Sequence, residues 1–212
     1  AARTLAFSGI RHAFWDFDGT LLDSYPAMVR AFAAAAADYG VAVPADRALR
    51  LMKENLRFCC EVIGRENGIP AEELIAAFRR HEQGELAQGL PPVAGIPEAL
   101  EALHHRGVKH YVATHRDLQC RALLEKAGLA GYFDGYVTQE DGLPRKPAPD
   151  TFLLAAQKLG VDPDKCIVFE DSLAGIGAAV NAGMQVVAVG GIRSDKAVLH
   201  IQDFQQIRDY FG

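Results

Sequence analysis

An α/β fold, with a doubly wound parallel sheet interrupted by an all-helical insertion, is the class this sequence predicts, on three observations. A β-prone apolar run at residues 12–17 comes first. From there to about residue 89, apolar residues recur only at the three- and four-residue spacing of helices. From "GLPPVAGIPEAL" onward, short β-prone runs alternate with helical ones, the rhythm of right-handed βαβ units in a parallel sheet.

The elements follow in chain order. "HAFWDF" is rich in aromatic residues and stops at the turn-like "DGT", so it predicts a buried first strand. "YPAMVRAFAAAAADYG" carries Pro near its start and Gly40 at its end, the usual asymmetry of helix signals. "DRALRLMKENLRFCCEVIGRENG" and "PAEELIAAFRRHEQGELAQ" continue the helical pattern. Pro and Gly then punctuate a linker. Beyond it, "VKHYVAT" (108–114), "YFDGYVT", "CIVFED" (166–171) and "QVVAVGG" predict strands, while "DLQCRALLEKAG", "APDTFLLAAQKLG" and "AGIGAAVNAG" predict the helices between them. The tail "AVLHIQDFQQIRDYFG" fits one more short strand and a closing helix. Residues 1–22 and 90–212 therefore form the expected Rossmann-like core, and 23–89 an inserted helical cap.

The 212 residues suffice for a self-supporting core. Half are hydrophobic and 23% charged, the composition of a globular domain and not of a disordered chain. A net charge of −5 without a polybasic run excludes a broad nucleic-acid surface. No apolar run is long enough for a membrane span and no secretory signal pattern opens the sequence, so a cytoplasmic location is expected. Cys59, Cys60, Cys120 and Cys166 lack zinc-site spacing and are expected to be reduced, buried thiols.

Ligands of an open parallel sheet bind beyond the carboxyl ends of its strands. Those ends carry Asp16 and Asp18, Thr114, and Glu170 with Asp171; Lys146 stands in the turn before the "APDTF" helix. Acids gathered on one rim would repel one another unless a hard cation with oxygen ligands joined them, and Mg²⁺ suits such a set together with a substrate phosphate. Lys146, Thr114 and the amides of the "DGT" turn, with Gly19 and Thr20, could supply donors for phosphoryl oxygens.

These residues resemble the haloacid dehalogenase superfamily of aspartate-nucleophile phosphatases: "DFDGT" is similar to its first motif, Thr114 of "VATHR" to its second, Lys146 of "RKPAPD" to its third and "FEDSLAG" to its fourth. The helical insertion is similar to the small cap of the phosphoglycolate phosphatase and β-phosphoglucomutase branch. The resemblance implies that Asp16 is the nucleophile of an aspartyl-phosphate intermediate and Asp18 the acid and then the base. It implies Mg²⁺ held by Asp16, the Asp18 carbonyl and Asp171, with Glu170 as a ligand or close support, and Thr114 and Lys146 on the phosphoryl group. His115 and Arg116 replace the residues many relatives carry after the second motif; both are placed among the substrate-binding candidates. On the insertion, Lys53 and Arg57 are four apart, so one helix face could present both to a leaving group, or else as a solvated stripe partnered by Glu54 or Glu61.

The expected activity is hydrolysis of a small phosphorylated metabolite, phosphoglycolate or a sugar phosphate. The alternatives are a β-phosphoglucomutase-type phosphomutase and a non-catalytic phospho-ligand-binding regulator.

Overall fold

The structure is a computed structural model in which residues 7–207 are described. The chain divides into two compact units, Ser24–Leu90 and the rest.

The larger unit is built on β1 (His12–Trp15), β2 (Lys109–Ala113), β3 (Phe133–Val137), β4 (Cys166–Glu170), β5 (Gln185–Val189) and β6 (Leu199–Ile201). All pair in parallel, in the order β3-β2-β1-β4-β5-β6. Parallel strands are covered on both faces, which is why β1 and β4 are buried throughout and, apart from His12 and Glu170 at their ends, apolar without alternation. The order reverses between β1 and β4. Trp15 pairs in register with Val112 on one side and Phe169 on the other, so Asp16 stands level with Ala113 and Glu170.

One sheet face packs Phe14, Val168, Phe152 and Ile176 into a buried cluster. On the other, Trp15 stacks on Phe169 with ring centroids 4.1 Å apart, and Phe204 lies 5.4 Å from Trp15. Trp15 Nε1 donates to His110 Nδ1 at 2.9 Å, which satisfies a buried indole. Each such fully buried large side chain stabilises the fold by about 1.5–3 kcal/mol. These contacts fix the end of β1, from which the two aspartates project.

The smaller unit contains α1 (Tyr25–Ala37), α2 (Ala45–Glu54), α3 (Leu56–Asn67) and α4 (Ala71–Leu86). Phe32, Ile63, Leu74 and Phe78 form its buried core with Cys59 and Cys60. Where a single helical pattern was expected over the segment containing Lys53 and Arg57, the chain breaks at Asn55, an extended residue (φ −174°, ψ 163°). Its Oδ1 accepts from Phe58 N at 2.7 Å and so caps α3. Lys53 and Arg57 thus belong to different helices, and the shared-face expectation is corrected.

The first half of helix α5 (Ile96–His105) falls in what the sequence suggested was linker, with Pro in its first turn. The remaining helices are α6 (Gln119–Lys126), α7 (Asp150–Leu159) and α8 (Leu173–Asn181). After β6 a short 3₁₀ turn spans Phe204–Ile207; the rest of the expected closing helix lies outside the described residues. Where the helical insertion leaves and rejoins the larger unit, the two strands of chain run side by side: Asp23 N donates to Pro91 O (2.8 Å), Val93 N donates to Leu21 O (3.0 Å), and Leu22 bridges Pro92 in antiparallel fashion.

Candidate active site

The residues after β1 turn sharply. Phe17 O accepts from the amides of Thr20, Leu21 and Leu22, and Gly19 N donates to Leu22 O at 2.9 Å. Gly19 has φ +74°, a left-handed conformation that glycine adopts without strain. This turn spends the Gly19 and Thr20 amides internally, and the buried Thr20 hydroxyl donates to Asp16 Oδ2 at 3.3 Å. Gly19 and Thr20, expected among the substrate-binding residues, stand in this turn, and the Thr20 hydroxyl contacts Asp16.

Lys146 reaches Asp16 from the loop before α7. Its Nζ donates to Asp16 Oδ1 (3.1 Å), Ala113 O (3.1 Å) and Glu170 Oε2 (2.5 Å), so three acceptors match the three protons of an ammonium. Burial works against that charge, but the Asp16 and Glu170 carboxylates outweigh it and hold the Lys146 pKa above the ordinary lysine value. Glu170 lies at the end of β4 and is wholly buried. Burial, then the neighbouring Asp16 charge, push its carboxyl above the usual range against the pull of Lys146.

Ser172 makes this placement possible. Its hydroxyl donates to Glu170 Oε1 at 3.4 Å and accepts from Gly175 N at 3.0 Å, capping α8. At Gly175 a β-carbon would stand 2.0 Å from Glu170 Cδ. Only glycine lets the first turn of α8 pass so close to the carboxylate.

Asp16, Glu170 and Asp171 bring ligand oxygens within 4.8 Å of one another. Two of these acids contact Lys146, and the all-oxygen donor set of the three suits a hard divalent cation, so the trio fits a metal of that class. The Asp18 side chain is not among the three. It is engaged by Arg116, whose Nε donates to Asp18 Oδ1 and Oδ2, both at 2.9 Å. Arg116, expected to face a substrate, has its Nε committed to Asp18.

Thr114 follows β2 and is buried. Its N donates to Val137 O (2.9 Å), and its Oγ1 accepts from Arg116 N at 3.1 Å. His115 Nε2 accepts from Lys146 N at 3.0 Å, so its ring braces the lysine loop. Burial, reinforced by Lys146 and Arg145, lowers the His115 pKa to about 4, and a neutral imidazole is what that acceptor role requires.

Asp16, Asp18, Thr114, Lys146, Glu170 and Asp171 therefore stand around the carboxyl ends of β1, β2 and β4. Lys53 and Arg57 belong to the helical unit. Lys53 Nζ sits 5.4 Å from the centre of the Tyr25 ring, and Arg57 pairs with Glu72 at 2.6 Å, not with Glu54 or Glu61. Sequence reasoning missed Ser172 and Gly175. The signal was present as a capping residue directly after a strand, with glycine three positions on.

The profile of the haloacid dehalogenase-like hydrolases matches residues 10–183. The fructose-1-phosphate phosphatase YqaB of Escherichia coli K12 is 32% identical over 177 residues, 82% of this chain and 94% of that protein. A phosphoglycolate phosphatase of Salmonella typhimurium is 30% identical over 206 residues, 85% of this chain and 81% of that one. A β-phosphoglucomutase structure from Clostridium difficile superposes with a TM-score of 0.79 over 95% of this chain and 97% of that chain; at 22% identity the likeness concerns the fold.

Proposed function

The chain belongs to the haloacid dehalogenase-like hydrolases, and from that premise we propose that it is a Mg²⁺-dependent phosphatase of small phosphomonoesters, phosphoglycolate or a sugar phosphate, with the helical insertion as its cap. The observation that carries the reading is the placement of Lys146 Nζ between Asp16 and Glu170 at the sheet's reversal point. A phosphoryl group brought there would meet a carboxylate nucleophile and an ammonium in one place.

Two steps follow from the residues. Asp16 attacks phosphorus as the bond to the leaving oxygen breaks, and Asp18 passes its proton to that oxygen. Asp18, now a carboxylate, takes a proton from water, whose oxygen displaces Asp16 from phosphorus and releases inorganic phosphate. Lys146 holds the Asp16 oxygen and balances charge on the phosphoryl group. Thr114 Oγ1 accepts from Arg116 N and keeps its own hydrogen to donate to a phosphoryl oxygen. Mg²⁺ held by Asp16, Asp171 and the Asp18 carbonyl, with Glu170 alongside, would supply positive charge to the phosphoryl oxygens.

The test is phosphate release from a panel of phosphomonoesters with Mg²⁺ supplied. Asp16→Asn should abolish turnover, and turnover at the wild-type rate in that variant would refute the assignment. The same core would serve a phosphomutase, which returns the phosphoryl group to its sugar, so conversion of a sugar phosphate with little free phosphate would favour that reading.

A further inference from the structure

We propose that Arg116 is a positioning residue for Asp18, aiming its carboxyl group at the leaving oxygen; the inference rests on the phosphatase reading above. Arg116 is tethered along its whole length. Its N donates to Thr114 Oγ1 (3.1 Å), its O accepts from Gln139 N (2.8 Å), and its guanidinium carbon lies 5.9 Å from the centre of the Phe17 ring. From that anchorage the single Nε–H is shared between both Asp18 oxygens at 2.9 Å. The two side chains are only 15% and 20% exposed, so little water competes for the contact.

A carboxyl group that must hand a proton to a departing oxygen has to present one oxygen within hydrogen-bond reach of it. Asp18 follows Phe17 in the tight turn after β1, and its carboxyl can still rotate about its own side-chain bonds. Arg116 removes that freedom. As the leaving group arrives, the guanidinium keeps one Asp18 oxygen, and the other is left to carry the proton that moves to the alkoxide when its bond to phosphorus breaks. The same arginine touches the Thr114 hydroxyl through its backbone. One residue thereby sets the distance between the phosphoryl-binding hydroxyl and the acid.

The consequence depends on the leaving group. An alkyl phosphate such as phosphoglycolate or fructose 1-phosphate needs the proton, because an alkoxide is a poor leaving group; p-nitrophenyl phosphate does not, because p-nitrophenolate departs as a stable anion. A residue that merely holds the loop together would affect both alike.

The experiment compares kcat/KM, which reports the steps through departure of the leaving group and not the later hydrolysis common to both substrates, for p-nitrophenyl phosphate and for whichever of the two alkyl phosphates the wild type turns over faster, in wild type, Arg116→Ala and Arg116→Gln. Circular dichroism and thermal melting confirm that each variant is folded. General acid assistance is typically worth about 10²–10⁴-fold, so Arg116→Ala should lose about 10²-fold or more on the alkyl phosphate and less than about tenfold on the aryl one. Added ethylguanidinium should restore part of the alkyl loss in Arg116→Ala. Equal losses on the two substrates in a folded variant, or an unchanged alkyl rate, would overturn the assignment of Arg116 while leaving the phosphatase reading standing. A wild-type protein that releases phosphate from neither substrate would overturn both.

Discussion

The α-carbon of Gly175 passes so near the Glu170 carboxyl group that an added methyl would stand 2.1 Å from Oε1. The first turn of α8 and the buried acid of the site are therefore packed as one unit. Gly175→Ala should push Glu170 off Lys146 and Ser172, costing about 1–3 kcal/mol of stability by overpacking, and activity should fall with it. Gly84, inside α4, is the control, because a methyl added there would meet nothing within 4 Å. Gly84→Ala should stabilise by about 0.4–1 kcal/mol. Thermal melting of both variants, with phosphate release, checks the pair.

Acid should destabilise the fold from the inside of the sheet. Burial lowers the His110 pKa to about 4, with His104 adding to the effect and Asp134 opposing it. The unfolded chain takes up that proton near pH 6.5 and the folded chain does not, so stability is intact above about 6.5 and declines as pH falls toward 4. His110 alone accounts for a loss of order 3 kcal/mol across that window. Denaturant titrations at pH 7.5 and 4.5 should show the loss, and His110→Gln should show a flatter dependence. His115 titrates in the same direction and contributes to the remainder.

The thiols should be inert in the folded protein. Burial pushes Cys59, Cys60, Cys120 and Cys166 up to about 12, and all four are unpaired and buried. A thiolate is the reactive form. Ellman's reagent at pH 8 should find almost no reaction before denaturant is added and all four groups after it.

The cap at Asn55 should matter to stability. Its Oδ1 satisfies Phe58 N at the start of α3. Asn55→Ala should cost about 1 kcal/mol, and Asn55→Asp much less, as measured by denaturant unfolding.

Removal of divalent ions should abolish phosphate release, and Mg²⁺ should restore it. Asp171→Asn should weaken Mg²⁺ binding in calorimetry. Binding unchanged from wild type would remove Asp171 from the metal site.

The sheet was legible because β1 and β4, apart from His12 and Glu170 at their ends, are apolar without alternation, and because the helices between strands carry their own period. Helix α5 was hidden by "GLPPVAGIP", in which Pro97 reads as a breaker although it serves as a starter in the first turn. The break at Asn55 carries no Gly or Pro, so the periodic pattern runs through it. The acids, Thr114 and Lys146 could be placed because strand ends share a rim. Arg116 and Asp18 are 98 positions apart and Lys146 and Asp16 130; such pairings depend on loop paths that no local pattern encodes. The Gly19 and Thr20 amides bond within their own turn, a pairing that likewise depends on the path of the chain.

The antiparallel meeting of residues 21–23 with 91–93 closes the insertion at its root. Residues 24–90 therefore leave and re-enter the larger unit through a closed pair of segments, and loop length adds to closure entropy only slowly. Evolution, or a protein engineer, could exchange that insertion for one of another length while the sheet and its acids stayed as they are. A graft that joins residue 23 to residue 91 through a short linker should still fold and melt cooperatively.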